Sequence, residues 1–447
     1  MPTILLLACY EMGHQPLSLA WPTAVLRTAG FAVTAVDLSV SPLPTETAVA
    51  APLVAIAVPM HTALRLGVQA AQQVRALNPQ AHICFYGLYA WLNREYLLAG
   101  LADSVLAGEV EAELAALAQR ILAGESPLAA AQPILARLPL PVPDRSGLPN
   151  LSAYARYEAN GTMALAGYAE TTRGCLHTCR HCPVVPVYHG RFFVISADIV
   201  LADVRQQVAA GARHISFGDP DFLNAPGHAL KISRALHAEF PQLTFDFTTK
   251  VEHILKHRAL MPELRALGAS FVISAFEATS DAVLARLQKG HTVADMEEAL
   301  VVLAEAGLPV QPTWVPFTPW TSLDDYLAML AWIRAQGLIT NVPGVQLCIR
   351  LLVPPESALI DHPDVVDWLG PLDAANFTYR WQHPDPRMDA LQTQIAALAE
   401  LAGSDPLANF AAVERLAYHA AGRPAPFWLP TEIAQPVPPR LTEDWFC

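Results

Sequence analysis

Thr172-Arg173-Gly174-Cys175-Leu176-His177-Thr178-Cys179-Arg180-His181-Cys182-Pro183 is the stretch on which the reading of this chain turns. Three thiolates in one short loop can hold three corners of an iron–sulfur cube, and with no fourth cysteine nearby one iron keeps an open coordination position. His177 and His181 lie between the cysteines, so a structural zinc of Cys3His type is the alternative, although zinc sites usually draw their ligands from two separated knuckles. Cysteine usage outside the loop points to a reducing compartment. Seven is an odd number, and Cys9, Cys84, Cys348 and Cys447 are scattered singly, which argues against a disulfide framework. No signal peptide opens the chain, and its apolar start is too short to span a bilayer, so a cytoplasmic protein with no membrane partner is expected.

The 447 residues are 53% hydrophobic and only 15% charged, enough to bury large cores in two or three domains. Lys and Arg number 28 against 41 Asp and Glu, a net charge of −13. Such a surface repels phosphate backbones, so no nucleic-acid partner is expected and a small-molecule substrate is.

Around the cysteine loop the apolar pattern implies an α/β protein. Residues 1–123 alternate short apolar strands (4–8, 32–37, 53–58, 82–86, 104–106) with helical stretches (18–29, 64–77, 109–122), the rhythm of a doubly wound, Rossmann-like parallel sheet. Residues 124–162 are rich in proline and read as an extended linker. Residues 163–355 carry six longer strand–helix units, with strands at 164–171, 214–217, 244–248, 271–276, 310–315 and 345–352, as in a partial (βα)6 barrel of TIM type. The cysteines follow the first of these strands, at the end where such barrels gather their chemistry. Residues 356–447 read as a helical, proline-rich extension, with helices at 388–402 and 407–421.

The cysteine spacing of three and then two intervening residues resembles the cluster loop of the radical S-adenosylmethionine (radical SAM) superfamily. The resemblance implies a 4Fe-4S cluster on Cys175, Cys179 and Cys182, with SAM chelated at the open iron and reductively cleaved to a 5′-deoxyadenosyl radical. It also implies a one-electron donor such as flavodoxin or ferredoxin. His181 stands where the family usually has an aromatic residue, and its imidazole can still lie flat against adenine. The first segment resembles the cobalamin-binding domain that precedes many radical SAM barrels, but lacks the Asp-x-His-x-x-Gly signature. His14 and His61 sit in suitable loops, so cobalamin is left open beside a domain that only shapes the substrate cleft.

The same resemblance implies SAM contacts at the strand ends: Gly218, Asp219 and Asp221 after the second strand, Glu277 after the fourth, Val315 after the fifth and Arg350 in the sixth. The bland readings are an Asp cap for the acidic turn and a structural ion pair for Arg350. Lys250 is a weaker rim candidate, and Lys289, Gly290 and Thr292 read as turn and cap residues. Finally, Leu441-Thr442-Glu443-Asp444-Trp445-Phe446-Cys447 resembles the end of a radical SAM family whose tail runs Trp-Phe-Cys, then a second Cys or selenocysteine, then Ala-Glu-Pro. A selenocysteine codon read as a stop would explain an end at Cys447. The resemblance implies a radical SAM enzyme, in the cobalamin-dependent methyltransferase form or in a form that transfers a SAM fragment to a soft acceptor through the tail; the residues by themselves also allow a zinc-stabilised binding protein.

Overall fold

The protein is described by a computed structural model covering residues 3–125, 129–130, 132–401, 405–428 and 437–443. Five strands, β1 (Thr3–Ala8), β2 (Ala32–Asp37), β3 (Leu53–Ala57), β4 (His82–Tyr86) and β5 (Ser104–Leu106), form a parallel sheet in the order β2-β1-β3-β4-β5. From Ile4 onward β1 is apolar at every position, the composition of a strand covered on both faces. Leu5, Leu7, Ile56 and Phe85 pack with helix His61–Leu77, while Ile4, Leu6, Ala55 and Cys84 pack with helices Leu17–Thr28 and Glu111–Leu122. Because β2 and β3 flank β1 on opposite sides, a crevice opens at the carboxyl ends of β1 and β3.

The second sheet begins with the hairpin of β6 (Arg156–Ala159) and β7 (Thr162–Ala169). A short ribbon of β8 (Thr172–Gly174) and β9 (Phe192–Val194) then brackets the cysteines. Next come β10 (His214–Phe217), β11 (Thr244–Thr248), β12 (Ala269–Glu277) and β13 (Val310–Trp314), each parallel to its neighbour and to β7, with helices between them.

The expected sixth strand at 345–352 does not form. Residues Gly344–Leu347 make a 3-10 turn, and backbone pairing with the chain after β13 is one bridge among the described residues, Phe317 to Arg350. Pro316, just past the end of β13, has no N–H to give a ladder, and Pro343 bounds the other segment. The open flank is covered by helices Pro386–Leu401 and Pro406–Ala420, whose Met388, Leu391, Ile395, Phe410 and Val413 join the barrel core. A hairpin of β14 (Leu369–Asp373) and β15 (Thr378–Trp381) drives Phe377 into the core of the first sheet. The two-residue strand β16 (Arg440–Leu441) pairs antiparallel with β6, completing the order β13-β12-β11-β10-β7-β6-β16. Among the described residues no helix is long and apolar enough to cross a membrane.

The proline-rich connector is stapled between the two sheets. Trp21 Nε1 donates to the Pro141 carbonyl at 3.0 Å, and Arg27 pairs with Asp144 at 2.6 Å. Arg145 is buried and reaches both units, bonding Asp203 Oδ1 at 2.7 Å, Gln15 Oε1 at 2.9 Å and the Tyr168 carbonyl at 2.7 Å. A buried pair that loses one partner leaves the other charge uncompensated. Arg145→Ala is therefore expected to destabilise the protein by about 3–5 kcal/mol, read as a lowered thermal midpoint; an unchanged midpoint contradicts this role.

Candidate functional site

A cavity of about 620 Å³ lies where the carboxyl ends of the two sheets face each other. One wall is built from the loops after β1, β3 and β4, including Glu11, Met60 and Leu88; the other comes from the barrel strand ends and the cysteine loop. Strand β7 runs to Ala169, and the chain after it is anchored by Asp219. Thr171 donates its N–H to Asp219 Oδ2 at 2.9 Å and its hydroxyl to Oδ1 at 2.6 Å, and the Thr172 hydroxyl adds a bond of 2.6 Å. The cysteine loop is then held by Arg180 N–H to the Leu287 carbonyl and by Leu176 N–H to Asn224 Oδ1.

Cys175, Cys179 and Cys182 are unpaired, buried or half-buried, and all line the cavity. Burial pushes the Cys175 thiol up to about 11 and that of Cys182 up to about 12. Desolvated thiols of this kind give up their protons to a metal rather than to water. Among the described residues, the metal-ligating side-chain atoms that all converge within 4.8 Å belong to other residues, so at least one pair of the three sulfurs stands further apart than that. A tetrahedral zinc with Zn–S bonds of 2.3 Å would need its sulfurs about 3.8 Å apart. The donor set fits a cluster with several irons better than one ion, and Lys289 lies near Cys179 and Cys182 as a counter-charge to an anionic cluster.

Glu277 ends β12 inside this cavity with a left-handed backbone, φ +69°, a conformation that a non-glycine residue holds only under constraint from its surroundings. Burial opposes its ionisation, but Lys289 Nζ at 3.0 Å and His181 Nε2 at 3.3 Å outweigh burial and bring its carboxyl down to about 2. Val315 and Lys250 line the same cavity, as does Gly218. A Cβ on Gly218 would fall 1.9 Å from the Tyr168 hydroxyl, so the glycine makes room for Tyr168, which stacks on His14 at 4.3 Å.

Two expected contacts are corrected. Asp221 lies behind the cavity wall, fully buried, where Oδ1 accepts from Leu223 N–H and the Thr249 hydroxyl; it caps a turn, because the backbone after β10 needs an acceptor there. Arg350 points away to Asp389 at 2.6 Å and to the Trp381 carbonyl, with its guanidinium over the Trp381 ring. The tail helices supply its counter-charge, so it is spent on structure. Of the two loop histidines, His61 bonds the Asn376 carbonyl through Nε2 at 2.8 Å, and His14 is buried, burial pushing it down to about 4.

Sequence reasoning passed over Glu170 and Arg173. Arg173, stacked on Trp21, pairs with Glu111 at 2.6 Å and with Glu109 and Glu170 at 3.3 Å, so the cysteine loop is tied to the loop after β5. Burial pushes Glu170 up to about 8, and Arg173 opposes it only in part. The position immediately before Thr171-Thr172-Arg173, a carboxylate ending an apolar strand, was the available signal. Arg440, Leu441 and Glu443 also line the cavity, and Tyr10 donates its hydroxyl to Glu443 Oε1 at 2.6 Å. The Trp445-Phe446-Cys447 end lies outside the described residues.

Residues 169–337 match the sequence profile of the Radical SAM superfamily. No curated protein matches the chain in sequence. Among solved structures, the chain is similar to TsrM from Kitasatospora setae, a radical S-adenosylmethionine methyltransferase solved with tryptophan substrate and a SAM analogue bound. The identity is 17%, over 75% of this chain and 71% of that one, with a TM-score of 0.62. It is also similar to OxsB, a cobalamin-dependent S-adenosylmethionine radical enzyme solved with aqua-cobalamin bound, at 14% identity over 94% and 72% of the two chains and a TM-score of 0.70. At these identities the likeness is one of fold. With the family profile lying over the half-barrel and its cysteine loop, the chain carries a radical SAM domain and is a radical SAM enzyme.

Proposed function

We propose that Cys175, Cys179 and Cys182 hold the 4Fe-4S cluster of this enzyme and that its substrate is a small molecule enclosed between the two sheets. The observation that carries this reading is the opening of all three thiols into one cavity that both units line. With SAM bound, the cluster supplies the electron that cleaves the sulfonium to a carbon radical. The chain's own residues do the rest. Glu277, kept ionised by Lys289 and His181, is placed to accept hydrogen bonds from SAM. Val315 gives an apolar wall, and Gly218 and Asp219 shape the loop beside it. The facing sheet excludes water from the radical.

Burial raises the Glu170 carboxyl to about 8 at the cavity surface, which suits it to donate a hydrogen bond to the substrate near neutral pH where an ordinary carboxylate could only accept. The net charge of −13 favours a small substrate over nucleic acid, and a cytoplasmic flavodoxin or ferredoxin suits the electron supply. A cobalamin-dependent methyltransferase draws support from the fold shared with TsrM and OxsB, and a corrinoid would add visible absorbance bands that a cluster lacks. Transfer of a SAM fragment through the tail draws support from Glu443, four positions before Cys447, at the cavity rim.

Anaerobically reconstituted protein is expected to form 5′-deoxyadenosine from SAM with dithionite, and Cys175→Ala, Cys179→Ala and Cys182→Ala are each expected to reduce it to background. Product formation by these variants at the parent rate sinks the assignment. For Glu170 the sign follows from its raised value. Between about pH 4.5 and 8 the folded state keeps a proton that the unfolded chain releases, so this group lowers stability as pH rises through that window. Glu170→Gln should therefore gain stability over the parent on going from pH 5 to pH 8, on the order of a few kcal/mol, measured by thermal midpoints at the two pH values; parallel midpoints would mean the proton is not there.

A further inference from the structure

We infer that His177, Asp221 and His253 form a second metal site, for one divalent transition ion of the zinc or ferrous class, behind the cluster loop. The three donor atoms lie within 4.8 Å of one another. His177 Nε2 stands 3.4 Å and His253 Nδ1 2.9 Å from the same oxygen, Asp221 Oδ2. Both nitrogens are buried, and neither makes a hydrogen bond of acceptable geometry. His253 is 3% exposed and Asp221 fully buried, while His177 also lines the cavity, so two buried, unpartnered imidazole nitrogens are aimed at one buried carboxylate oxygen. A pair of unsatisfied buried nitrogens is costly unless something binds them.

The surroundings are those of oriented ligands. Asp221 Oδ1 is fixed by the Leu223 N–H at 3.0 Å and the Thr249 hydroxyl at 2.8 Å, which leaves Oδ2 for the imidazoles and a long contact of 3.4 Å from the Lys250 N–H. Beyond His177, Nδ1 lies 3.2 Å from Lys250 Nζ, and the Glu252 carboxylate stands further out at 3.7 Å. Two imidazoles and one carboxylate suit zinc or ferrous iron, with water completing the shell, and they differ in kind from the three soft sulfurs that suit the cluster. His177 comes from the cysteine loop, Asp221 from the loop after β10 and His253 from the helix Val251–Lys256 after β11. An ion there clamps the cluster loop to two barrel strand ends.

The full-length chain with Cys175, Cys179 and Cys182 all changed to Ala lacks the cluster and keeps this triad. Titrated with Co2+, it is expected to develop visible d–d bands that saturate at one ion per chain and vanish on adding Zn2+. Adding His253→Ala or Asp221→Asn should remove the bands. A folded triple variant, checked by circular dichroism, that binds Co2+ no better than its His253→Ala counterpart overturns the site and leaves the three residues as a hydrogen-bonded network. If the triple variant does not fold, the reconstituted parent decides. One metal ion per chain in excess of inorganic sulfide, absent in His253→Ala, supports the site, and equal metal and sulfide overturns it. None of these readouts involves SAM cleavage, so failure here leaves the proposed reaction standing.

Discussion

The arrangement depends on one half-buried cation, Arg173. Its guanidinium lies between Glu109 and Glu111 from the first sheet and Glu170 from the end of β7, with Trp21 beneath it. Taking charges out of water is costly for each ion, and the cost is offset only where geometry and pairing are good. Here Glu109 and Glu111 from the first sheet and the Glu170 carboxyl from the second share one arginine, so drawing Arg173 away would leave Glu109 and Glu111 together without their counter-charge. Arg173 is also two residues from Cys175. The interaction that joins the two sheets is therefore the one that fixes where the thiols open, and the cavity is a consequence of it.

Around that joint, acids at successive strand ends are neutralised by different chemistries, and this gives each a different use. Asp219 is saturated by two threonine hydroxyls and backbone N–H, so it shapes the loop and has little capacity left for a ligand. Glu277 is paired with Lys289 and His181, both through Oε1, so its second oxygen is the one left for a ligand. Its strained backbone fits a position selected for where the carboxylate points rather than for the comfort of the strand. Glu170, with the weakest share of Arg173, stays protonated. One rim thus presents a saturated acid, an ionised acid and a neutral acid.

Much of this was legible in the sequence because apolar periodicity is local. The strands of both sheets follow from runs such as Ile4 to Ala8 and Phe271 to Phe276, and the cysteines follow β7 as the strand order requires. What was not legible depends on partners distant in the chain. The strand expected at 345–352 has the right residues but meets Pro316 across the gap, and Arg350 is drawn to Asp389. Gly218 reads as a ligand-loop glycine until the Tyr168 hydroxyl is seen to need its missing Cβ. Proline richness implied an extended connector but said nothing of Arg145 and Asp203, which lie 58 residues apart.

The C-terminal segment shows why an extension that the barrel does not need is retained beside the cavity. Strand β6 would otherwise present a bare edge of N–H and C=O groups, and β16 covers it. Two residues of pairing are too few to hold by backbone bonds alone, so the segment is fastened by side chains: Arg440 to Glu158 on the barrel sheet at 3.0 Å, and Glu443 to Tyr10 at the end of the first sheet. These two fastenings lie on different units. A segment attached to both sheets, with Arg440, Leu441 and Glu443 on the cavity surface, is set by the same spacing of the sheets that Arg173 fixes on the other side. Closure of the cavity and placement of the tail are in this sense one mechanical constraint, with the cysteine loop at one end of it and Glu443 at the other.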